Sequence, residues 1–348
     1  MCLLTDLPAE TLLGIYSSCS SVNDVLNLSQ TCRRLHALLP SSQKLSVLLS
    51  VAEAQAGPIF DIVQLLTAND VQATHETREP SMSYHLLRDI LSVAQTAQEW
   101  QEIYPREKWD EKYADRRLLN PEERYALRRA IYRLWLFSRA FHNSRYPRES
   151  RLHPIRIAER CRFLRAWSTE ELAEIEDFRG IMRSVLESVI LRQEDLYWEL
   201  ESASGRFHRK QCIYPLASRS YLNSVTTLKN AFHTSNDDRV SVNQRLHGMQ
   251  SRPGFQAGMY GWADDITRFY ALEDLMKLDP EEVLWLQANA YLHLQVPDQV
   301  GSMEEEWFIN NGETFAHTFG MVMADRGEDA QEIRERIARG ELGIARGP

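Results

Sequence analysis

"LPAETLLGIYSSCSSVNDVLNLSQTCRRLHALL", residues 7–39, decides how this chain is read. At the helical step, Leu12, Leu13, Ile15, Tyr16 and Cys19 share an arc of roughly 160°. Pro8 stands in the first turn, where its missing N–H costs nothing. The run "SSVND" (20–24) breaks this helix and offers a serine cap to the next. There, Val22, Val25, Leu26 and Leu28 cover another ~160°. On a third helix Cys32, Leu35, Leu38 and Leu39 cover ~120°, with Arg33 and Arg34 on the polar side. A helix packed on one neighbour needs only a stripe of ~100°. Three short helices therefore bury one side among themselves and keep apolar surface to spare. A unit of about 40 residues is also marginal alone. The spare surface must meet the rest of the chain or another protein.

The remaining sequence is dominated by the same periodicity, and the fold class expected is all-α. Three capping boxes mark helix starts: Asn120-Pro121-Glu122-Glu123, Ser168-Thr169-Glu170-Glu171 and Asp279-Pro280-Glu281-Glu282. The second opens a helical stretch expected to run to about Glu201. Residues 69–81, 143–154 and 251–265 read as loops from their proline, glycine and polar content. Residues 206–215 are the one strand-like stretch. No internal repeat of 20 to 50 residues is present.

Composition bounds the class. The chain has 348 residues, is 43% hydrophobic and 26% charged, and carries a net charge of −9. This is ordinary for a soluble globular protein, and it disfavours general nucleic-acid affinity. Five cysteines, odd in number and without a CxxC pair, fit a reducing compartment rather than a disulfide framework or a structural zinc site. Asp6 and Glu10 fall where a secretory signal needs uninterrupted apolar sequence. The expected location is cytoplasm or nucleus.

The opening stretch resembles an F-box. The resemblance is carried by Leu7-Pro8-x-Glu10, an aliphatic at Ile15, then Asp24-Val25-x-x-Leu28, then Thr31-Cys32-Arg33-Arg34-Leu35. The ending "TCRRLH" is similar to that of many F-boxes in filamentous fungi. Cys19 departs from the bulkier leucine usual in the family, and the turn "SSVND" is one residue longer than the common form. The resemblance implies a three-helix F-box domain over residues 1–42, followed by a helical domain over 43–348. It implies a Skp-type adaptor as partner, docked on a cullin scaffold, with Leu7, Pro8, Leu12, Ile15, Val25, Leu28 and Leu35 at or beside the adaptor contact. It also implies a non-catalytic role: the C-terminal part holds a protein substrate for ubiquitylation carried out by other subunits.

No recruitment module is recognisable after residue 42, but three features are candidates. Between Arg116 and Arg165 stand fourteen arginines, no lysine and four carboxylates. Arginine favours bidentate pairing with carboxylate or phosphate. The belt, with Arg124 and Arg128, reads either as a site for an acidic or phosphorylated ligand or a nucleic-acid backbone, or as the internal partner of the chain's own acids. Within it, Leu127, Ile131, Leu134, Trp135 and Phe141 form an apolar stripe expected in the core. The second candidate is the loop carrying Phe255, Tyr260 and Trp262, which presents aromatics to a substrate or folds them onto the core. In the third, residues 304–321, Trp307, Phe308, Phe315 and Phe319 read as core, and His317 as a satisfied structural histidine. The tail after Asp325 reads as a short fraying helix.

Catalytic signatures are missing. There is no HExxH, Walker loop, GxGxxG or GxSxG, and no histidine–cysteine spacing for a metal. No cofactor or metal is expected, and no run approaches the ~18 apolar residues of a membrane span. The rival to the ubiquitin-ligase reading is an adaptor-binding protein of a stable assembly without ubiquitylation.

Overall fold

The computed structural model describes residues 7–39, 41–68, 76–110, 113–143, 145–147, 150–191, 272, 275–289 and 313–347. These are helical, and among them there is no strand. The expected all-α class is what the structure has. The candidate strand at 206–215 lies outside the described residues.

Two compact units divide the chain, residues 1–136 and 137–348. The expected boundary near residue 42 does not coincide with this division. In the first unit the helices are α1 (Ala9–Ser17), α2 (Val22–Gln30), α3 (Arg33–Leu38), α4 (Ser41–Ala56), α5 (Ile59–Thr67), α6 (Tyr84–Lys108) and most of α7 (Pro121–Phe141). The N-terminal helices pack on one another, and α1 and α2 also pack on α4. The next layer is α4 and α5 against α6. Its interior holds Val51, Ile62, Ile90 and Trp100, none more than 1% exposed.

Helix starts follow local chemistry. Ser21 caps α2, its Oγ accepting the Asp24 N–H at 3.1 Å. Pro8 sits one position before α1 rather than inside it, and its carbonyl accepts the Leu12 N–H at 3.1 Å. At the start of α7 Asn120 Oδ1 accepts the Glu123 N–H at 2.8 Å, and Glu123 Oε2 accepts the Asn120 N–H at 2.9 Å. Glu123 also takes both arms of Arg117, at 2.5 and 2.6 Å. The Ser168–Glu171 and Asp279–Glu282 boxes close in the same reciprocal way.

The second unit contains the end of α7, α8 (Pro154–Leu164), α9 (Thr169–Leu191), α10 (Pro280–Asn289), α11 (Phe315–Asp325) and α12 (Ala330–Ala338). Helix α11 packs on α8, while α9 is covered by α10, α11 and α12. Its aromatic centre is a chain of edge contacts: Phe137 with Phe315 at 5.2 Å and Phe141 with Phe163 at 5.4 Å between centroids. The predicted stripe of α7 is buried throughout, as are Phe315 and Phe319. Trp307 and Phe308 lie outside the described residues.

Two expectations are overturned here. The tail does not fray: after α12 the chain folds back and buries Leu342, Ile344 and Ala345. The Ile344 N–H donates to Asp177 Oδ2 of α9 at 2.9 Å. Gly343 permits this with φ +92°, and a Cβ there would stand 2.5 Å from that same carboxylate oxygen. The apolar residues of "GELGIARG" (340–347) thus gain burial that outweighs the fraying expected of a charged tail. His317 is exposed rather than enclosed by aromatics, because the aromatic positions Phe315 and Phe319 occupy the other side of α11.

The histidine that meets the aromatics is His142, part-buried just after α7. Its Nε2 shares a hydrogen bond with Thr314 Oγ1 at 3.2 Å, and its ring edge meets Phe137. Burial pushes its pKa down to about 3. In the unfolded chain it takes a proton below about pH 6.5. The unfolded state therefore binds more protons between these values, and stability falls as pH drops from about 6.5 towards 3. The slope from this group reaches about 1.4 kcal/mol per pH unit. Urea unfolding at neutral and acid pH should show that slope in the native chain and lose it in His142→Leu. An unchanged slope in the variant would contradict the assignment.

Candidate partner-binding surface

Helices α1 to α3 are tied together by polar bonds, one of them buried, as well as by apolar contact. The fully buried Tyr16 donates its hydroxyl to the Leu35 carbonyl at 3.1 Å, joining α1 to α3. Burial raises its pKa, so the phenol remains a donor. Arg34 Nη2 donates to the Leu7 carbonyl at 2.8 Å and holds the segment before α1 against α3. At the α1–α2 turn, the Ser21 and Ser20 hydroxyls donate to Asp24 Oδ2 at 2.7 and 2.9 Å. These bonds hold the Asp24 carboxyl below the usual carboxylate range. The Val22 N–H donates to Gln55 Oε1 of α4 at 3.0 Å.

This arrangement sorts the seven candidate contact residues. Leu12, Val25 and Leu35 are at most 2% exposed, so they knit the three helices together and offer a partner no surface. Leu7, Ile15 and Leu28 are part-buried, and Pro8 is exposed. Leu13, Leu26 and Leu38 are also part-buried. The surplus apolar surface inferred from the wide arcs is therefore divided. One share is covered by α4, whose Gln55 accepts the Val22 N–H, and another remains open to solvent. The apolar spacing of Leu48, Val51 and Ala52 marks α4 as a buried helix, a signal that sequence reasoning did not use.

The arginine belt is largely paired within the chain. In the first unit Arg117 is clamped by Glu123, and Arg133 meets Asp61 at 3.0 Å where both are nearly buried. Arg129 stacks over Tyr125 at 5.9 Å. Arg128 donates to the carbonyls of Gly57 at 3.0 Å and Gln55 at 3.3 Å. Arg124 is exposed on the first turn of α7. In the second unit Arg156 meets Glu159 at 3.1 Å, and Arg165 pairs with Asp325. The fully buried Arg160 donates to Thr318 Oγ1 at 3.2 Å and to the Arg151 carbonyl at 2.8 Å. Seven of the fourteen belt arginines thus have the internal partners named here.

Phe255, Tyr260 and Trp262 lie outside the described residues. Among the described residues no three histidine, cysteine, aspartate or glutamate side chains form a metal-binding group. Burial pushes the Cys161 thiol up, away from the thiolate form a nucleophile needs. No single helix among the described residues is long and apolar enough to cross a membrane. Against known proteins, no family model, no curated protein and no solved structure matches the chain.

Proposed function

We propose that this chain is the substrate-recruiting F-box subunit of a Skp–cullin–F-box ubiquitin ligase. The observation that carries this reading is the motif spacing from Leu7 to Leu35, together with the part-open apolar side chains Leu7, Ile15 and Leu28 on the short helices that hold the motif. Apolar groups on preformed helices are suited to non-covalent docking, because little ordering entropy is lost when a rigid surface binds. The Skp-type adaptor is the partner at this surface, and the cullin is reached through it. The chain performs no bond chemistry. It raises the effective concentration of a substrate near the transferring enzyme, a gain that needs only simultaneous engagement of both surfaces.

Reconstitution with a Skp-type adaptor and a cullin tests this role. The expected result is a ternary complex, and a protein partner that accumulates in cells from which this chain is removed. Adaptor binding without cullin recruitment, and with no accumulating partner, would instead make the chain a member of a stable adaptor assembly.

A further inference from the structure

Helix α7 carries Arg124 and Arg128 one turn apart on one face, four residues being the spacing at which side chains meet. Like charges at this spacing repel, and an anion between them removes the penalty. Neither arginine forms an ion pair within 4 Å among the described residues, although the Glu53 charge acts on Arg128. Arg124 is exposed, and Arg128 is part-buried with only the neutral carbonyls of Gly57 and Gln55 as hydrogen-bond partners. A guanidinium has five N–H donors, so these two bonds leave three for a further acceptor. Burial first, and the charge of Arg124 among the rest, push the pKa of Arg128 down. A neighbouring anion would relieve both effects.

Apolar surface flanks this charge. Phe60 is 52% exposed at the start of α5, three residues after the Gly57 carbonyl that Arg128 holds. Tyr125, beside Arg124 on α7, is 39% exposed and is held by the Arg129 stack. Exposed aromatics beside arginines, fixed on rigid helices, have the composition of energetic anchors at protein interfaces. Of the neighbouring acids, Asp61 pairs with Arg133 and Glu123 with Arg117, while Glu53 accepts the Ile59 N–H at 3.1 Å and Glu122 is exposed on the first turn of α7.

We infer that Arg124 and Arg128, flanked by Phe60 and Tyr125, form a docking surface for an acidic segment of a protein partner. Its carboxylates seat between the two guanidinium groups, and an adjacent apolar side chain lies on the aromatics. The inference rests on the recruitment role proposed above, since it assigns the substrate-facing surface to the α5–α7 seam and the substrate class to acidic segments.

The test uses the full chain and a fluorescein-labelled peptide of glutamates interrupted by leucine and phenylalanine, beside its glutamine counterpart. Fluorescence anisotropy should show the acidic peptide binding at least about tenfold more tightly than the glutamine one. The preference should weaken as ionic strength rises. Arg124→Glu, at an exposed position without a partner to lose, should reduce binding by about tenfold or more, and Phe60→Ala should also reduce it. Arg162→Glu makes the same charge change on α8 and should leave binding intact. Equal binding of the two peptides, an inert Arg124→Glu, or an equal loss in Arg162→Glu would overturn the inference. Full competition by inorganic phosphate at concentrations matching the peptide would also overturn it, by reducing the site to one for a bare anion. Adaptor binding is unaffected by Arg124→Glu under this scheme. A chain that binds the peptide but no adaptor would sink the ligase role and leave this surface standing.

Discussion

Arg179→Met is expected to destabilise the second unit by about 3–5 kcal/mol, the range for breaking a buried ion pair by removing one partner. Arg179 is 6% exposed on α9. Its Nη2 lies 3.4 Å from Glu313 Oε2, and its Nη1 lies 3.4 Å from Glu176 Oε2. Glu176 keeps a second partner, since Arg334 Nε donates to it at 2.6 Å. Glu313 is the buried group most affected by the loss. Burial alone would raise its pKa, and the charge of Arg179, with the Ala316 N–H and Arg151, outweighs that and holds it below the usual range. Its ionised form therefore contributes stability above the unfolded pKa, and that contribution fades as pH falls through the lowered folded value. Without Arg179 a buried carboxylate loses its main counter-charge. Hydrogen exchange at the α9 and α11 amides should accelerate by roughly two to three and a half orders of magnitude, since each 1.4 kcal/mol is tenfold. Arg179→Met with Glu313→Leu should recover much of the loss, because an apolar replacement of both partners removes the stranded charge. A single variant with unchanged exchange would show that the pair is not what holds these helices.

The helical class and the helix starts were legible because they rest on local chemistry. The boxes at Asn120, Ser168 and Asp279 involve residues three apart, and nothing distant alters their bonds. The α7 stripe was legible for the same reason, as a period. What stayed hidden is long-range. Nothing in "GELGIARG" announces that Asp177, far away in sequence, accepts the Ile344 N–H. Nor does the spacing of Arg128 show that its partners are the carbonyls of Gln55 and Gly57, seventy-odd residues earlier. His317 was misplaced because a count of neighbouring aromatics in sequence does not say which side of α11 faces inward, and His142 was not considered. In the candidate surface, the arcs of α1 to α3 announced surplus apolar area, but not how much α4 would claim. The motif named seven residues, and packing sorts them into three that are internal and four that a partner can reach.

That sorting also shapes the second large effect. Deleting residues 1–42 would remove α1 and α2 from their packing on α4, so a lost interaction could come from a damaged fold. Leu7→Asp with Ile15→Asp is the cleaner change. Both side chains are part-buried, and the bond that Leu7 makes to Arg34 uses its backbone carbonyl, which aspartate keeps. The free chain should keep its helical circular dichroism. At a closed apolar interface, each added carboxylate would be desolvated without a partner, and the pair should weaken binding by at least about a hundredfold.

Co-purification of the full chain with a Skp-type adaptor, native against the Leu7→Asp/Ile15→Asp pair, tests the central claim most directly. The account predicts a stable complex with the native chain and none with the folded variant. No complex with the native chain, or equal complexes with both, would contradict it.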